Sequence, residues 1–211
     1  MSDTEATKRI TVFSDYVCPF CYLGRESLSQ YQAERDDSLE IDWHPFDLQA
    51  DKRGPDGEID HSVDDGKDED YYEQARENVQ RLTERYDVEM ELDLARDIDS
   101  LPAQVASYYV REHYDYDQWL GFDVAIFDAL WQAGRDIGDP DVLAELGDEA
   151  GLDPQEIRDA LDDETMHAEV EELFEAARKQ GVTGVPTFAY QGYAARGAVP
   201  PEHLQRLVEG N

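Results

Sequence analysis

The distribution of apolar and polar positions predicts a strand over Arg9 to Phe13, then a short loop, Ser14 to Val17. A helix follows from about Pro19 to Glu34, with Tyr22, Leu23, Leu28 and Tyr31 at roughly helical spacing. A second strand over Leu39 to Phe46 alternates, with Leu39, Ile41, Trp43 and Pro45 on one face. Residues 47 to 70 hold ten acids and three bases together with Gly54, Pro55 and Gly57, and read as a solvated excursion outside the core.

Helical patterns dominate after that. Tyr71 to Tyr86 is charged and weakly amphipathic, and Pro102 fits the first turn of another helix capped by Asp99 or Ser100. Trp119 to Trp131 is apolar on most sides, interrupted by Asp123 and Asp128, and predicts the buried helix of this region. Asp139-Pro140 and Asp153-Pro154 each combine a capping acid with a proline just inside a helix. Met166, Val170, Leu173, Phe174 and Ala177 share one face of a helix from about Asp163 to Gln180, which Gly181 stops. Two short strands, Thr187 to Tyr190 and Tyr193 to Gly197, and a helix from near Pro201 complete the chain.

With residues 50 to 160 set aside, the order is β-α-β, then α-β-β-α: a small mixed sheet covered by helices, with an all-helical insertion. The fold class is α/β. The expected division is 1–60 with 163–211 for the sheet domain and 61–162 for the helical insertion.

Charge changes the picture of partners. The 211 residues carry 51 acids and 18 bases, a formal net charge of −33, so phosphate-mediated binding of nucleic acid or anionic membranes is disfavoured. Disorder is not expected, because 40% of residues are apolar and 10% aromatic. Only Lys8, Lys52, Lys67 and Lys179 are lysines, whereas the other basic residues are arginines. An acid-rich, lysine-poor chain is expected of cytosol at molar salt, where a Debye length of roughly 3 Å suppresses repulsion between surface carboxylates; an ordinary acidic protein is the alternative. Met1 to Lys8 lacks the apolar core of a targeting signal and no run suits a membrane span, so a cytoplasmic location is expected.

The only two cysteines form Cys18-Pro19-Phe20-Cys21. Such a pair suits a redox disulfide, half of a zinc site, or chance. A zinc site needs two further ligands, yet no two of His44, His61, His113, His167 and His203 lie three to five residues apart, so no metal is expected. The position favours redox chemistry. Directly after a strand, Cys18 falls at a helix amino terminus, where free N–H groups and the macrodipole favour thiolate. Pro19 suits the first helical position, and Cys21 follows one turn later. No organic cofactor is required.

Far downstream, Gly181-Val182-Thr183-Gly184-Val185-Pro186-Thr187-Phe188 places a proline at a strand start. Paired with the cysteines, it leads us to expect a cis Val185–Pro186 bond beside them, with the Val185 backbone free to pair with an extended substrate. Asp15, three residues before Cys18, is either a proton acceptor for Cys21 or a loop carboxylate near the helix start. Tyr16, Phe20 and Tyr22 are candidates for an apolar rim that contacts substrate, while Trp43, Trp119 and Trp131 are expected in the core.

Ser14 to Gly24, the helical insertion, Thr183 to Phe188 and Gly197-Ala198 together resemble the DsbA family. Asp136 to Leu143 and Ala150 to Asp153 resemble its intracellular FrnE-type branch, although that branch often has Trp where this chain has Phe20. The resemblance implies a thioredoxin fold with an inserted helical domain and thiol–disulfide exchange on protein or small-molecule substrates, served by an unidentified redox partner. It implies Cys18 as nucleophile, Cys21 as resolving cysteine and Pro186 as the cis-proline; beside these, Val185, Pro186 and Phe20 are the expected substrate contacts. The 2-hydroxychromene-2-carboxylate isomerases and kappa-class glutathione transferases share the fold but typically carry Ser first in the motif; a thiol-dependent isomerase or transferase is therefore the alternative. A non-catalytic module with a stapled loop is the reading from a different class.

Overall fold

Strand β1 (Lys8–Ser14) carries Ile10, Val12 and Phe13 into the interior and lies between two partners of opposite direction. It pairs parallel with β2 (Leu39–Pro45) in the register Val12 to Trp43, and antiparallel with β3 (Thr187–Tyr190) in the register Val12 to Phe188. β3 pairs antiparallel with β4 (Tyr193–Arg196), so the sheet order is β2-β1-β3-β4. A computed structural model provides this description, for residues 7–54, 57–60, 62–63, 66, 69–91 and 97–210. His61, most of Met1 to Lys8 and parts of the acidic run lie outside the described residues.

The parallel β1–β2 pair requires a crossover, and α1 (Pro19–Ala33) supplies it. Helix α7 (Glu164–Lys179) leads into β3, and α8 (Pro201–Glu209) follows β4. Alternation along the strands dictates which residues meet which helix. Phe13 and Phe46 pack with Ala177 and Val182 at the carboxyl end of α7. Ile10, Val12 and Phe188 join Leu28 and Tyr31 of α1 and Leu204 of α8. With both faces covered, the arrangement is the expected α/β thioredoxin fold.

Between β2 and α7 come α2 (Glu69–Tyr86), α3 (Leu101–His113), α4 (Tyr116–Trp131), α5 (Pro140–Glu149) and α6 (Pro154–Leu161). The caps follow the sequence punctuation. Asp139, Asp153 and Asp163 each accept a hydrogen bond from the second amide of their helix. At the start of α3, Ser100 is the cap residue and the Asp99 carboxylate accepts from Leu101 N at 2.9 Å. Trp43, Trp119 and Trp131 are all buried as expected, and each indole N–H finds an acceptor, in Ser14, Ser107 and the Tyr16 carbonyl respectively.

The acidic run needs a correction. Its first residues are not a solvated excursion: Asp47 and Gln49 are buried, and a short 3-10 turn over Ala50–Lys52 leads to Arg53. Charge content misled because Asp47 has a specific partner. Arg53 binds it at 3.0 Å and also binds Asp99 at 2.9 Å.

Candidate active site

The cysteine motif sits where β1 ends and α1 begins. Cys18 is the amino-terminal cap residue of α1 with extended backbone, Pro19 is the first helical residue, and the Cys18 carbonyl accepts from Cys21 N and Tyr22 N. Cys18 keeps 4% of its surface exposed and Cys21 none. The reachable sulfur is thus more enclosed than the sequence suggested, because the loop before β3 lies over it. The Val185–Pro186 bond is cis, and Cys18 Sγ lies 3.7 Å from the Val185 carbonyl oxygen. Strand order explains the meeting: β3 is the direct neighbour of β1, so its entry loop faces the exit of β1.

Gly24 permits that approach. A Cβ there would meet Pro186 Cγ at 3.0 Å and Phe188 Cζ at 3.1 Å, so any larger residue would push these side chains back by a few tenths of an ångström. The residue stands one turn after Cys21 in α1 and lets the helix press against the start of β3.

Cys21 and Asp15 lie deeper. Burial pushes the Cys21 thiol well above its ordinary range, reinforced by its hydrogen bond to Cys18 and by the charges of Cys18 and Asp15. Asp15 is fully buried and does not cap α1; its Oδ1 accepts from Val17 N at 3.2 Å and its Oδ2 from Leu48 N at 2.9 Å. Burial raises its carboxyl from 3.8 to about 7, opposed by hydrogen bonds from Ser100 and Leu48 and assisted by the charge of Asp47. A carboxyl that holds a proton near neutrality beside a thiol that resists losing one can exchange that proton.

Two members of the expected aromatic rim are elsewhere. Tyr16 and Tyr22 are buried, and each hydroxyl finds partners on the helices that cover it, interior ones for Tyr16 and partly exposed ones for Tyr22. Tyr16 donates to Asp123 at 2.9 Å and stands 2.8 Å from Ser107 Oγ; Tyr22 donates to Asp128 at 3.2 Å and accepts from Gln132 at 2.7 Å. Phe20 alone of the three is partly exposed, against the cluster of Leu23, Val79 and Tyr86.

Asp123 went unrecognised as part of the site's support. It is wholly buried, and Arg25, on the motif helix, is ion-paired to it. Together with the bond from Trp131 to the Tyr16 carbonyl, this pair fastens the motif loop to α4. An acid interrupting the apolar Trp119 to Trp131 pattern was the available signal. Among the described residues, no group of three or more His, Cys, Asp or Glu is placed to hold a metal ion, and no helix is long and apolar enough to cross a membrane.

Comparison with known proteins places this geometry. The uncharacterized protein YwbO of Bacillus subtilis (strain 168) is 27% identical over 203 residues, covering 96% of either chain. A Streptomyces coelicolor protein named for the DsbA oxidoreductases superposes with a TM-score of 0.78 at 22% identity, over 96% of this chain and 88% of its own. A 2-hydroxychromene-2-carboxylate isomerase superposes at 0.75 with 20% identity, over 94% and 92%. The cytosolic disulfide reductase DsbM of Pseudomonas aeruginosa superposes at 0.62 with 21% identity, over 89% and 87%. These structures share the fold, with both reductase and isomerase names among them. Residues 9–209 match the DSBA-like thioredoxin domain, and the chain belongs to that family.

Proposed function

We propose that the protein is a thiol–disulfide oxidoreductase that cycles Cys18 and Cys21 between dithiol and disulfide, a member of the FrnE-type branch working in a salt-rich cytoplasm. The observation that carries this reading is the meeting of three groups beside the cis-proline loop. Cys18 Sγ lies 3.7 Å from the Val185 carbonyl oxygen, Cys21 is hydrogen-bonded to Cys18, and the buried Asp15 carboxyl is close enough to act on the Cys21 thiol.

In the reducing direction the Cys18 thiolate attacks one sulfur of a substrate disulfide. The Cys18–substrate bond forms, the substrate S–S bond breaks, and the second substrate sulfur departs as thiolate. Cys21 then gives its proton to the Asp15 carboxylate and attacks Cys18 Sγ; the Cys18–Cys21 bond forms and the first substrate sulfur leaves as thiolate. The substrate gains two electrons and the enzyme dithiol loses two, so a partner dithiol must restore the enzyme. In the oxidising direction a substrate thiolate attacks Cys18 Sγ and Cys21 leaves and is protonated by Asp15. A second substrate thiolate then attacks the bound substrate sulfur, the substrate disulfide forms, Cys18 leaves as thiolate, and a partner disulfide must reoxidise the enzyme dithiol. The start of α1 faces the Cys18 charge, which is present when Cys18 attacks in the reducing direction and develops when Cys18 is released in the oxidising direction.

Val185 and Pro186 offer backbone and ring to an extended substrate segment, and Phe20 supplies an apolar contact. Residues 1–60 and 163–211 form the domain carrying the cysteines, and 61–162 the helical domain that braces them through α4. The isomerase-like alternative relies on an external thiol, whereas a second cysteine one turn from the first supports an internal cycle. Insulin reduction in molar KCl tests the proposal. Wild type is expected to be active and Cys18→Ser inactive; equal rates in the two proteins would discard it.

A further inference from the structure

Beside the cysteines, one guanidinium ties together two segments outside the motif loop that reach Asp15. Leu48 N donates to Asp15 Oδ2, and the preceding residue, Asp47, is held by Arg53 Nε at 3.0 Å. The Ser100 side chain is near enough to Asp15 to favour its carboxylate, and the preceding residue, Asp99, takes two bonds from Arg53, Nη1 to Oδ2 and Nη2 to Oδ1, each 2.9 Å. Arg53 Nη1 also donates to the Gly57 carbonyl at 2.7 Å, and the guanidinium is nine-tenths buried. These bonds fix a plane rather than a single contact.

We propose that Arg53 is a positioning residue for Asp15: by bridging Asp47 and Asp99 it keeps the Leu48 amide and the Ser100 hydroxyl on the carboxyl and neutralises the acid beside it. The inference rests on the reading of Asp15 as the proton acceptor. Three consequences of losing Arg53 have the same sign. The Leu48 donor drifts, the Ser100 donor drifts, and the Asp47 charge stands uncompensated near Asp15, so each raises the proton affinity of the carboxyl. The other groups facing this place are Cys18 and Cys21 from the motif and α1, and Arg178 of α7, which donates to the Asp47 carbonyl at 3.5 Å. Arg25 and Asp123, joined to the neighbouring Tyr16, are paired with each other.

The test follows the Asp15 carboxyl itself by carbon-13 NMR in the full-length reduced protein, its signal assigned by loss in Asp15→Asn. The pH profile of mixed-disulfide resolution is recorded beside it. Arg53→Gln is expected to move the Asp15 midpoint upward by on the order of one pH unit, Asp47→Asn to move it downward, and Arg53→Lys to fall between wild type and Arg53→Gln because an ammonium cannot bridge two carboxylates in a plane. A site that merely loosened would admit water and lower the midpoint in every variant. An unmoved or lowered midpoint in Arg53→Gln overturns the proposal; should that variant not fold, Arg53→Lys against Asp47→Asn decides it, and shifts of the same sign overturn it. If the NMR midpoint rises while the resolution profile stays in place, Arg53 positions Asp15 as stated and the proton-acceptor reading fails instead.

Discussion

Asp15 stands out of contact with solvent, close enough to Cys21 for its charge to raise the proton affinity of that thiol. A carboxyl at 3.8 in the unfolded chain and about 7 in the fold favours its protonated form on folding. Its contribution to stability is therefore full below about pH 4 and is lost as pH rises through 7. Asp15→Asn is expected to be more stable than wild type at pH 8 by up to about 4 kcal/mol, with the gain vanishing near pH 4. The same variant should resolve mixed disulfides about 10²-fold more slowly. Denaturant midpoints at the two pH values and quenched-flow trapping of the mixed disulfide measure both effects.

Gly24 tests how closely α1 must approach β3. Adding one methyl there forces Pro186 or Phe188 to move, and overpacking of this kind costs about 1–3 kcal/mol even though Ala is the better helix former. Gly121, exposed on α4 with open space around it, is the control. Gly24→Ala should lower the denaturant midpoint and the rate of insulin reduction together. Gly121→Ala should raise the midpoint slightly and leave the rate alone.

These two sites differ in how far the chain itself announced them. The sheet and its helices were readable because each rests on local signals: alternation in Leu39 to Pro45, the Met166 to Ala177 stripe, and the Asp-Pro caps of α5 and α6. The cysteine pair and Pro186 were readable because motif and strand order act together. The supporting polar contacts were not. Arg25 meets Asp123 across 98 positions and Arg53 meets Asp99 across 46, and neither pair leaves any periodic trace. Tyr16 and Tyr22 were misplaced for the same reason: an aromatic beside a motif is buried or exposed according to whether a distant acceptor waits for its hydroxyl.

The Arg25–Asp123 pair predicts a non-additive pattern. Both side chains are nearly or fully buried, so Asp123→Asn leaves an unpaired cation and should cost about 3–5 kcal/mol. The pair is incompletely satisfied, since Arg25 Nη1 has no hydrogen-bond partner among the described residues. Its net contribution over apolar packing should therefore be small. Arg25→Met combined with Asp123→Leu is expected to recover more than half of the loss, because Ser107 still satisfies Tyr16. A double-mutant cycle by urea unfolding gives the coupling directly.

Salt dependence follows from the net charge of −33. Exposed ion pairs such as Lys8–Asp37 and Lys179–Glu175 are attractive and weaken in salt, but in full contact with solvent each contributes little. The unpaired acids outnumber them, and their mutual repulsion reaches across roughly 10 Å at 0.1 M but only about 3 Å at 1 M. Repulsion is therefore expected to decide the sign, with the fold gaining stability as salt is added. Lowering KCl from about 1 M to about 0.1 M is expected to cost ~2 kcal/mol or more, which for a chain of this size is about 4–8 °C in Tm. Sodium chloride should act like potassium chloride at equal ionic strength if screening is the cause. Thermal melts followed by circular dichroism in both salts check this, and a Tm that falls as salt is added would show that attraction between charges dominates this surface after all.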